Sequence, residues 1–392
     1  MAKRGKIILQ HFVGQMPLAG IAWQAVNYLA GLEKLGYEAW YVEDHGANPY
    51  DPRISSVVMD CGYNVRYLRD AMERHGLAGR WAYWDAINDV YHGLTAERVR
   101  ALYAEADGLI NLCGATQLRE DHLRCPVRIM IDTDPVYEQI KYAKADPAAR
   151  AYINAHTHFF TYGANLGSAL CPVPLCGVPW RATRPPVDLD LWPFAPGAGD
   201  GGAPPSFTTI ATWENKGKNI EFDGVSYLWS KHVNFLKFLD VPHHRPQTSF
   251  QMAMLPPDDA VRREVEGAGW SLADPRPISA SMARYQAFIA GSRGEFTVAK
   301  DIYVRPNSGW FSDRAVCYLA AGRPVVTMRT GFTSFCPVGR GLFDYATHEE
   351  ALAAIDAIGA DYRRHSHAAR ELAGEYFAVE RVIGNLLRDA GL

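Results

Sequence analysis

The sequence predicts an α/β fold: two Rossmann-like domains facing each other across a cleft. Three observations lead there. The chain opens on an apolar run, an amphipathic helix and a second apolar run, the β-α-β unit from which parallel sheets are built. A stretch dense in proline and glycine interrupts it near the middle, at 183–206. Beyond that stretch, short apolar runs again alternate with helical segments and lead to Ser308–Phe332, SGWFSDRAVCYLAAGRPVVTMRTGF, which reads as turn, helix, turn and strand.

Composition narrows the function classes. With 392 residues, 48% hydrophobic and 21% charged, the chain has room for two domains with ample cores. A formal net charge of -3 gives no basic signature for bulk nucleic-acid or anionic-membrane binding, and leaves only local patches for such partners. Seven cysteines without a C-x-x-C pair point to a reduced, cytoplasmic setting. The apolar run after the basic N-terminus is interrupted by Gln10 and His11 and lacks a cleavage site, so it reads as a first strand rather than a signal. No run approaches the ~20 residues that cross a bilayer, and no integral membrane association is expected.

Taken in order, Lys6 to Val13 is a buried strand. Trp23, Val26, Asn27, Ala30 and Leu35 then share one face of a helix that stops at Gly36, and Tyr37 to Val42 forms the second strand. Gly14 and Gly20 lie between strand and helix, but no G-x-G-x-x-G is present, which argues against a dinucleotide here. Val57 to Arg100 is expected to be largely helical. Its aromatics, including Trp81, Tyr83, Trp84 and Tyr91, belong either to the core or to a sugar-stacking cleft mouth. Asp107 to Leu112 and Val127 to Ile131 are strands, the second closing on Asp132-Thr133-Asp134-Pro135. An Asp-x-Asp at a strand end can hold a divalent metal against a diphosphate. Here Asp134 directly precedes a proline and a helical run, so it reads as an N-cap and no metal is assigned. Asp132 lies at the carboxyl end of its strand, where open α/β sheets bind ligands, and is a candidate cleft residue. His156 and His158 alternate on a fifth strand without a third ligand and read as ordinary strand residues.

The expected division is a first domain at 1–182, a linker at 183–206, a second domain at 207–377 and a final helix at 378–392. Phe207 to Trp213 restarts a strand, and the loop after it carries Lys216, Gly217 and Lys218, which either reach a phosphate or form a solvated surface. A helix is expected around Ser226 to Leu239, a strand at Thr248 to Met254, and a run at Trp270 to Asp274. Met282 to Ile289 then leads into Ser292, Arg293, Gly294 and Glu295. In the Ser308–Phe332 stretch, Phe311, Ala315, Tyr318, Leu319 and Gly322 fall on one helical face, and Gly322 with Pro324 ends the helix. The first turn of such a helix leaves backbone N–H groups unpaired and carries partial positive charge, so small residues before it admit a diphosphate. Alternatively, Ser308 or Ser312 is only a cap. Thr347 and Glu350 form a capping-box pattern for a later helix.

Gly294 to Phe332 resembles the donor-binding segment of GT-B glycosyltransferases. The likeness is nearest to bacterial enzymes related to the glycosyltransferase-like domain of spore-maturation proteins, through Ala320-Ala321-Gly322-Arg323-Pro324-Val325-Val326 and Thr330-Gly331. The resemblance implies transfer of a sugar from a nucleotide-diphosphate donor to a hydroxyl acceptor. The first domain would take the acceptor, the second the donor, and the final helix would cross back to the first. It implies that the turn Ser308, Gly309, Trp310 and Ser312 holds diphosphate with help from Lys216, Lys218 or Arg293. Asp313 would meet ribose or a donor hydroxyl, and Glu295 the donor sugar. No cofactor or metal is expected, because a helix N-terminus and cations take the charge role. The chain lacks the common pair of glutamates eight positions apart, which leaves the stereochemistry open. An inverting enzyme would draw its base from His11 or Asp132 at first-domain strand ends, His11 having the ordinary pKa nearer neutrality. The acceptor class stays open among small molecule, glycan, nucleic acid and protein. A nucleotide-sugar epimerase and a two-lobed sugar-binding protein are the alternatives.

Overall fold

The structure, a computed structural model, describes residues 4–194, 205–215 and 217–392. Near-continuous apolar runs such as Lys6–Gln10 (KIILQ) and Gly108–Leu112 (GLINL) suit strands covered on both faces, and they form the middle of the first sheet. Its eight strands lie in the order Arg181–Ala182, His158–Thr161, Val127–Asp132, Gly108–Leu112, Lys6–Gln10, Glu38–Glu43, Trp81–Asp85 and Val90–Gly93. All neighbours pair in parallel except the last two, which form an antiparallel hairpin. The second sheet holds six parallel strands in the order Trp270–Ala273, Phe250–Ala253, Phe207–Ile210, Gly294–Thr297, Val325–Met328 and Leu342–Tyr345. In each sheet the strand order reverses once, beside Lys6–Gln10 in the first and between Phe207–Ile210 and Gly294–Thr297 in the second. A crevice forms outside the carboxyl ends of the strands at such a point.

The two domains are tied at two crossings. Val187 N–H donates to Phe377 O at 2.8 Å and Val379 N–H to Val187 O at 3.1 Å, so the outgoing and returning chain run side by side. The last helix, Val379–Asp389, then lays Val379, Ile383, Leu386 and Leu387 into the core of the first domain. Gly31 on helix Ala19–Lys34 permits this approach, because a Cβ there would stand 2.3 Å from Ile383 Cδ1.

Three local expectations fail for identifiable reasons. Within Val57 to Arg100 only Gly62–Arg74 and Ala96–Glu105 are helices. Trp81–Asp85 (WAYWD) is a strand, as its aromatic content favours. Within Ser226 to Leu239 the chain instead pairs Val225–Tyr227 against Ile220–Phe222 through Asp223 and Gly224, both at positive φ, and only His232–Phe235 is helical. Asp134 does not cap the following helix, Tyr137–Ala143. The residue before that helix is Val136, at φ 88, and its N–H donates to Gln139 Oε1 at 2.6 Å. His156 precedes its strand and is anchored by Asn111 and the carbonyl of Tyr152. Thr347 and Glu350 do form the capping box of helix His348–Ala360.

Candidate functional site

A cavity of about 480 Å3 lies between the domains at the carboxyl ends of the sheets. Leu18, Gly20, Ile21 and Gln24, at the start of helix Ala19–Lys34, form one wall, with Tyr50, Pro52 and Ser55 at its rim. Opposite stand Ile210, Ala211 and Thr212, at the end of strand Phe207–Ile210, and the first turn of helix Asp313–Ala320. This is the point where the second sheet reverses its strand order.

Of the expected donor residues, Trp310, Ser312 and Asp313 line this cavity. Ser312 occupies the N-cap position but makes no side-chain cap bond. Trp310 stacks on Tyr303, with centroids 4.4 Å apart, and donates from Nε1 to Thr133 O of the first domain at 3.0 Å. Asp313 receives the Tyr162 hydroxyl at 3.3 Å and bonds to Gln24. Burial raises its carboxyl to about 7, and nearby Asp134 pushes the same way against the Gln24 bond.

The other expected residues fall elsewhere. Ser308 is fully buried and donates to Tyr303 O at 2.9 Å. Gly309, at φ +79, donates to Thr330 O at 2.7 Å and is packed against Ala164 and Asn165. The turn therefore serves as a contact between domains, not as an open diphosphate cradle. Glu295 is fully buried and does not line the cavity; its Oε1 receives Arg314 Nε at 2.5 Å. Arg293 stands at the amino end of strand Gly294–Thr297, over the Tyr362 ring, at the wrong end of the sheet. Lys218 lies over Tyr137 and Trp229 and borders a separate cavity, and Lys216 falls outside the described residues. His11 is fully buried, with Nε2 2.8 Å from Gln24 Oε1. Burial lowers its pKa to about 4, so the ring is neutral, and it lines neither this cavity nor the second one. Asp132 borders the second cavity, of about 390 Å3, and accepts from Gln139 at 2.7 Å. Burial raises it to about 7.

The residues that sequence reasoning missed are basic. Arg314, next to Asp313, lines the cavity, anchored by Glu295, by Ile210 O at 2.8 Å and by Thr297 Oγ1 at 3.0 Å. Burial works against its charge, but the Glu295 carboxylate more than offsets that and raises its pKa. Lys300 donates to Asp134 Oδ1 at 3.0 Å while its ammonium sits 3.6 Å from the Trp229 centroid. Lys231 is 9% exposed and also lines the cavity, and no hydrogen bond or ion pair links its ammonium to the described residues. Burial pushes its pKa well down, and Arg314 and Lys300 push it the same way. Arg314 carried a weak signal, since a cation in the first turn of a helix is disfavoured by the helix dipole unless an acid offsets it. Lys231 and Lys300 had none, because only the folded chain brings them together.

Two six- to eight-stranded α/β domains with facing carboxyl ends, a paired double crossing and a returning last helix make a recognisable whole. The architecture is GT-B. The chain is similar in fold to an alpha-glucosyltransferase solved with UDP-glucose and abasic-site DNA (TM-score 0.60, 11% identity, covering 99% of this chain and 100% of that one). It is also similar to Anabaena HepE in complex with UDP (0.55, 12%, 98% and 100%). A third GT-B likeness is the sucrose-phosphate synthase of Thermosynechococcus elongatus (0.55, 14%, 98% and 99%). No protein-family profile matches the chain, and no curated protein matches it in sequence. Among the described residues no helix is long and apolar enough to cross a membrane.

Proposed function

We propose that the chain is a glycosyltransferase that moves a sugar from a nucleotide-diphosphate donor to a hydroxyl acceptor. One observation carries the reading: Arg314, Lys231 and Lys300 converge with the first turn of helix Asp313–Ala320 on a single cavity at the switch point of the second sheet. Three basic side chains and a helix N-terminus against few facing acids suit a diphosphate, whose negative charge would draw a proton onto the buried Lys231 amine. In the reaction the bond from the anomeric carbon to the β-phosphate oxygen breaks as the acceptor oxygen attacks, and negative charge develops on the departing diphosphate. Fixed cations aimed at that charge supply the electrostatic stabilisation, so the proposal assigns the role to protein groups without a metal or other cofactor. Asp313, on the same turn, would meet the ribose or a donor hydroxyl, while Glu295 positions Arg314 rather than touching the sugar.

The acceptor would approach from the first domain, and its class stays open among small molecule, glycan, nucleic acid and protein. If the reaction inverts configuration, the base we assign is Asp132, which borders the second cavity, ahead of His11, which lines neither cavity and is bonded to Gln24 and Cys113. Two of the fold neighbours were solved with UDP or UDP-glucose, which makes uridine diphosphate sugars the first donors to try. The setting proposed is the cytoplasm, where such donors are made.

The test is a thermal-shift panel of UDP, dTDP, GDP and ADP, each alone and with sugar attached, on the parent chain and on Asp313→Ala and Lys231→Ala. Binding only to the native state raises the melting temperature. One nucleoside diphosphate should shift the parent selectively and both variants less. No shift with any of them would sink the reading.

A further inference from the structure

We propose that Cys61, Asp85 and His92 form a binding site for a zinc-class divalent cation, away from the cleft, that fastens the edge hairpin of the first sheet to the helix beside it. Among the described residues this is the one group of three metal-ligating side chains whose ligand atoms all lie within 4.8 Å of one another. The Cys61 sulfur is 3.4 Å from Asp85 Oδ2 and 3.7 Å from His92 Nε2. A tetrahedral zinc with Zn–S of ~2.3 Å and Zn–N or Zn–O of ~2.0 Å sets its sulfur-to-nitrogen and sulfur-to-oxygen edges at about 3.5 Å. Both sulfur edges therefore match a tetrahedral ion, and the remaining Asp85–His92 edge, within 4.8 Å, closes to the ~3.3 Å it needs by a small shift of the half-buried His92 ring.

The donors come from separate elements. Cys61 immediately precedes helix Gly62–Arg74, Asp85 ends strand Trp81–Asp85, and His92 lies on the antiparallel return Val90–Gly93. The carboxylate is already oriented. Its Oδ1 accepts from the N–H groups of Ile87 and Asn88 at 3.1 and 3.3 Å, and its Oδ2 from Asn88 Nδ2 at 2.7 Å. Such outer contacts fix the direction of a metal ligand. Cys61 and Asp85 are buried while His92 is half-buried, which leaves an entry side. One sulfur, one nitrogen and one oxygen form a mixed donor set of the kind zinc accepts, with a fourth position for water. On binding, the Cys61 thiol gives up its proton to solvent and coordinates as thiolate.

The site would also steady the cleft. The short hairpin of Tyr50–Asp51 and Ser56–Val57 leads directly into Cys61, and Tyr50, Pro52 and Ser55 form the cavity rim. Holding Cys61 holds the end of that rim.

The experiment uses the full chain, stripped with a chelator under a non-thiol reductant and titrated with Co2+. The expected result is a thiolate-to-cobalt charge-transfer band with tetrahedral ligand-field bands, saturating at one ion per chain and displaced by Zn2+. Cys61→Ser should abolish the charge-transfer band, and His92→Gln, a half-exposed position that should not prevent folding, should weaken Co2+ binding at least tenfold. Circular dichroism checks that both variants fold. Absence of the band in the parent, or its persistence in folded Cys61→Ser, would overturn the proposal. Because the readout is the metal, failure here leaves nucleotide binding in the cleft untouched.

Discussion

Replacing Glu295 by Gln keeps the shape of a fully buried side chain and removes its charge. In the parent, Glu295 Oε1 holds Arg314 at 2.5 Å, and its Oε2 has no partner. Arg314 would keep its bonds to Ile210 O and Thr297 and lose only the counter-charge. Removing one partner of a buried pair costs about 3–5 kcal/mol. The Arg314 side chain retains 13% exposure toward the cavity, so water shares the load and the lower end, about 3 kcal/mol, is expected. For a domain of this size each kcal/mol moves the melting temperature by roughly 2–4 °C, giving a fall of roughly 6–12 °C. The same change leaves the cation cluster with one negative charge fewer. A unit charge ~8 Å away at an effective dielectric constant of about 20 contributes about 2 kcal/mol, so a nucleoside diphosphate should bind the variant more tightly. The assay is thermal and urea unfolding of parent and variant with and without UDP. The nucleotide should recover part of the lost stability and produce a larger shift in the variant. A loss below about 1 kcal/mol would refute the stability reasoning. A smaller nucleotide shift in the variant would show that Arg314 and Glu295 are not part of an anion site.

Lys231→Ala should weaken UDP binding by about tenfold or more, since it deletes a basic group that would take up a proton and pair with the diphosphate, and should leave uridine binding unchanged; calorimetry with both ligands distinguishes this from general damage. Asp313 is raised from 3.8 to about 7 in the folded chain, so the native state holds a proton that the unfolded state releases as pH rises. Its contribution to stability is full below about 4, falls between about 4 and about 7, and stays lost above that. Asp313→Asn should therefore flatten the fall of melting temperature with pH over that window, and an unchanged slope would place the titration elsewhere. Gly31→Val would drive a side chain into Ile383 and Val379. It should cost about 1–3 kcal/mol or more and expose the last helix to limited proteolysis.

Much of the fold was legible because parallel strands buried on both faces announce themselves as short apolar runs. The hairpins are not legible as such, although Asp223-Gly224 is a turn signal and WAYWD a strand composition, because both strands of each are short and lie beside segments with helical spacing. In the site, Trp310, Ser312 and Asp313 could be placed from the turn-helix pattern alone. Arg293, expected to help hold the diphosphate, directly precedes a parallel strand and so lies at the end away from the crevice. Glu295 was expected at the sugar only through the resemblance to GT-B glycosyltransferases. Its actual role, holding Arg314 nineteen positions later, depends on a packing contact that no local pattern encodes.

Asp134 shows most clearly how tertiary context reassigned a residue. The sequence around it fits a cap, yet its carboxylate leaves the first domain to meet Lys300 and the Tyr303 hydroxyl of the second. Burial opposes its charge, but the Lys300 ammonium and the Tyr303 hydroxyl outweigh that and hold its pKa below the usual range. Lys300 lines the first cavity and Asp134 the second, so this ion pair is a shared wall between them. A diphosphate in the first cavity would compete with Asp134 for Lys300, whereas among the described residues no acid is bonded to Lys231. The basic groups of the cleft therefore differ in what binding an anion requires of them: Arg314 is fixed by Glu295, Lys300 is shared with the other domain, and Lys231 must take up a proton against burial and its basic neighbours.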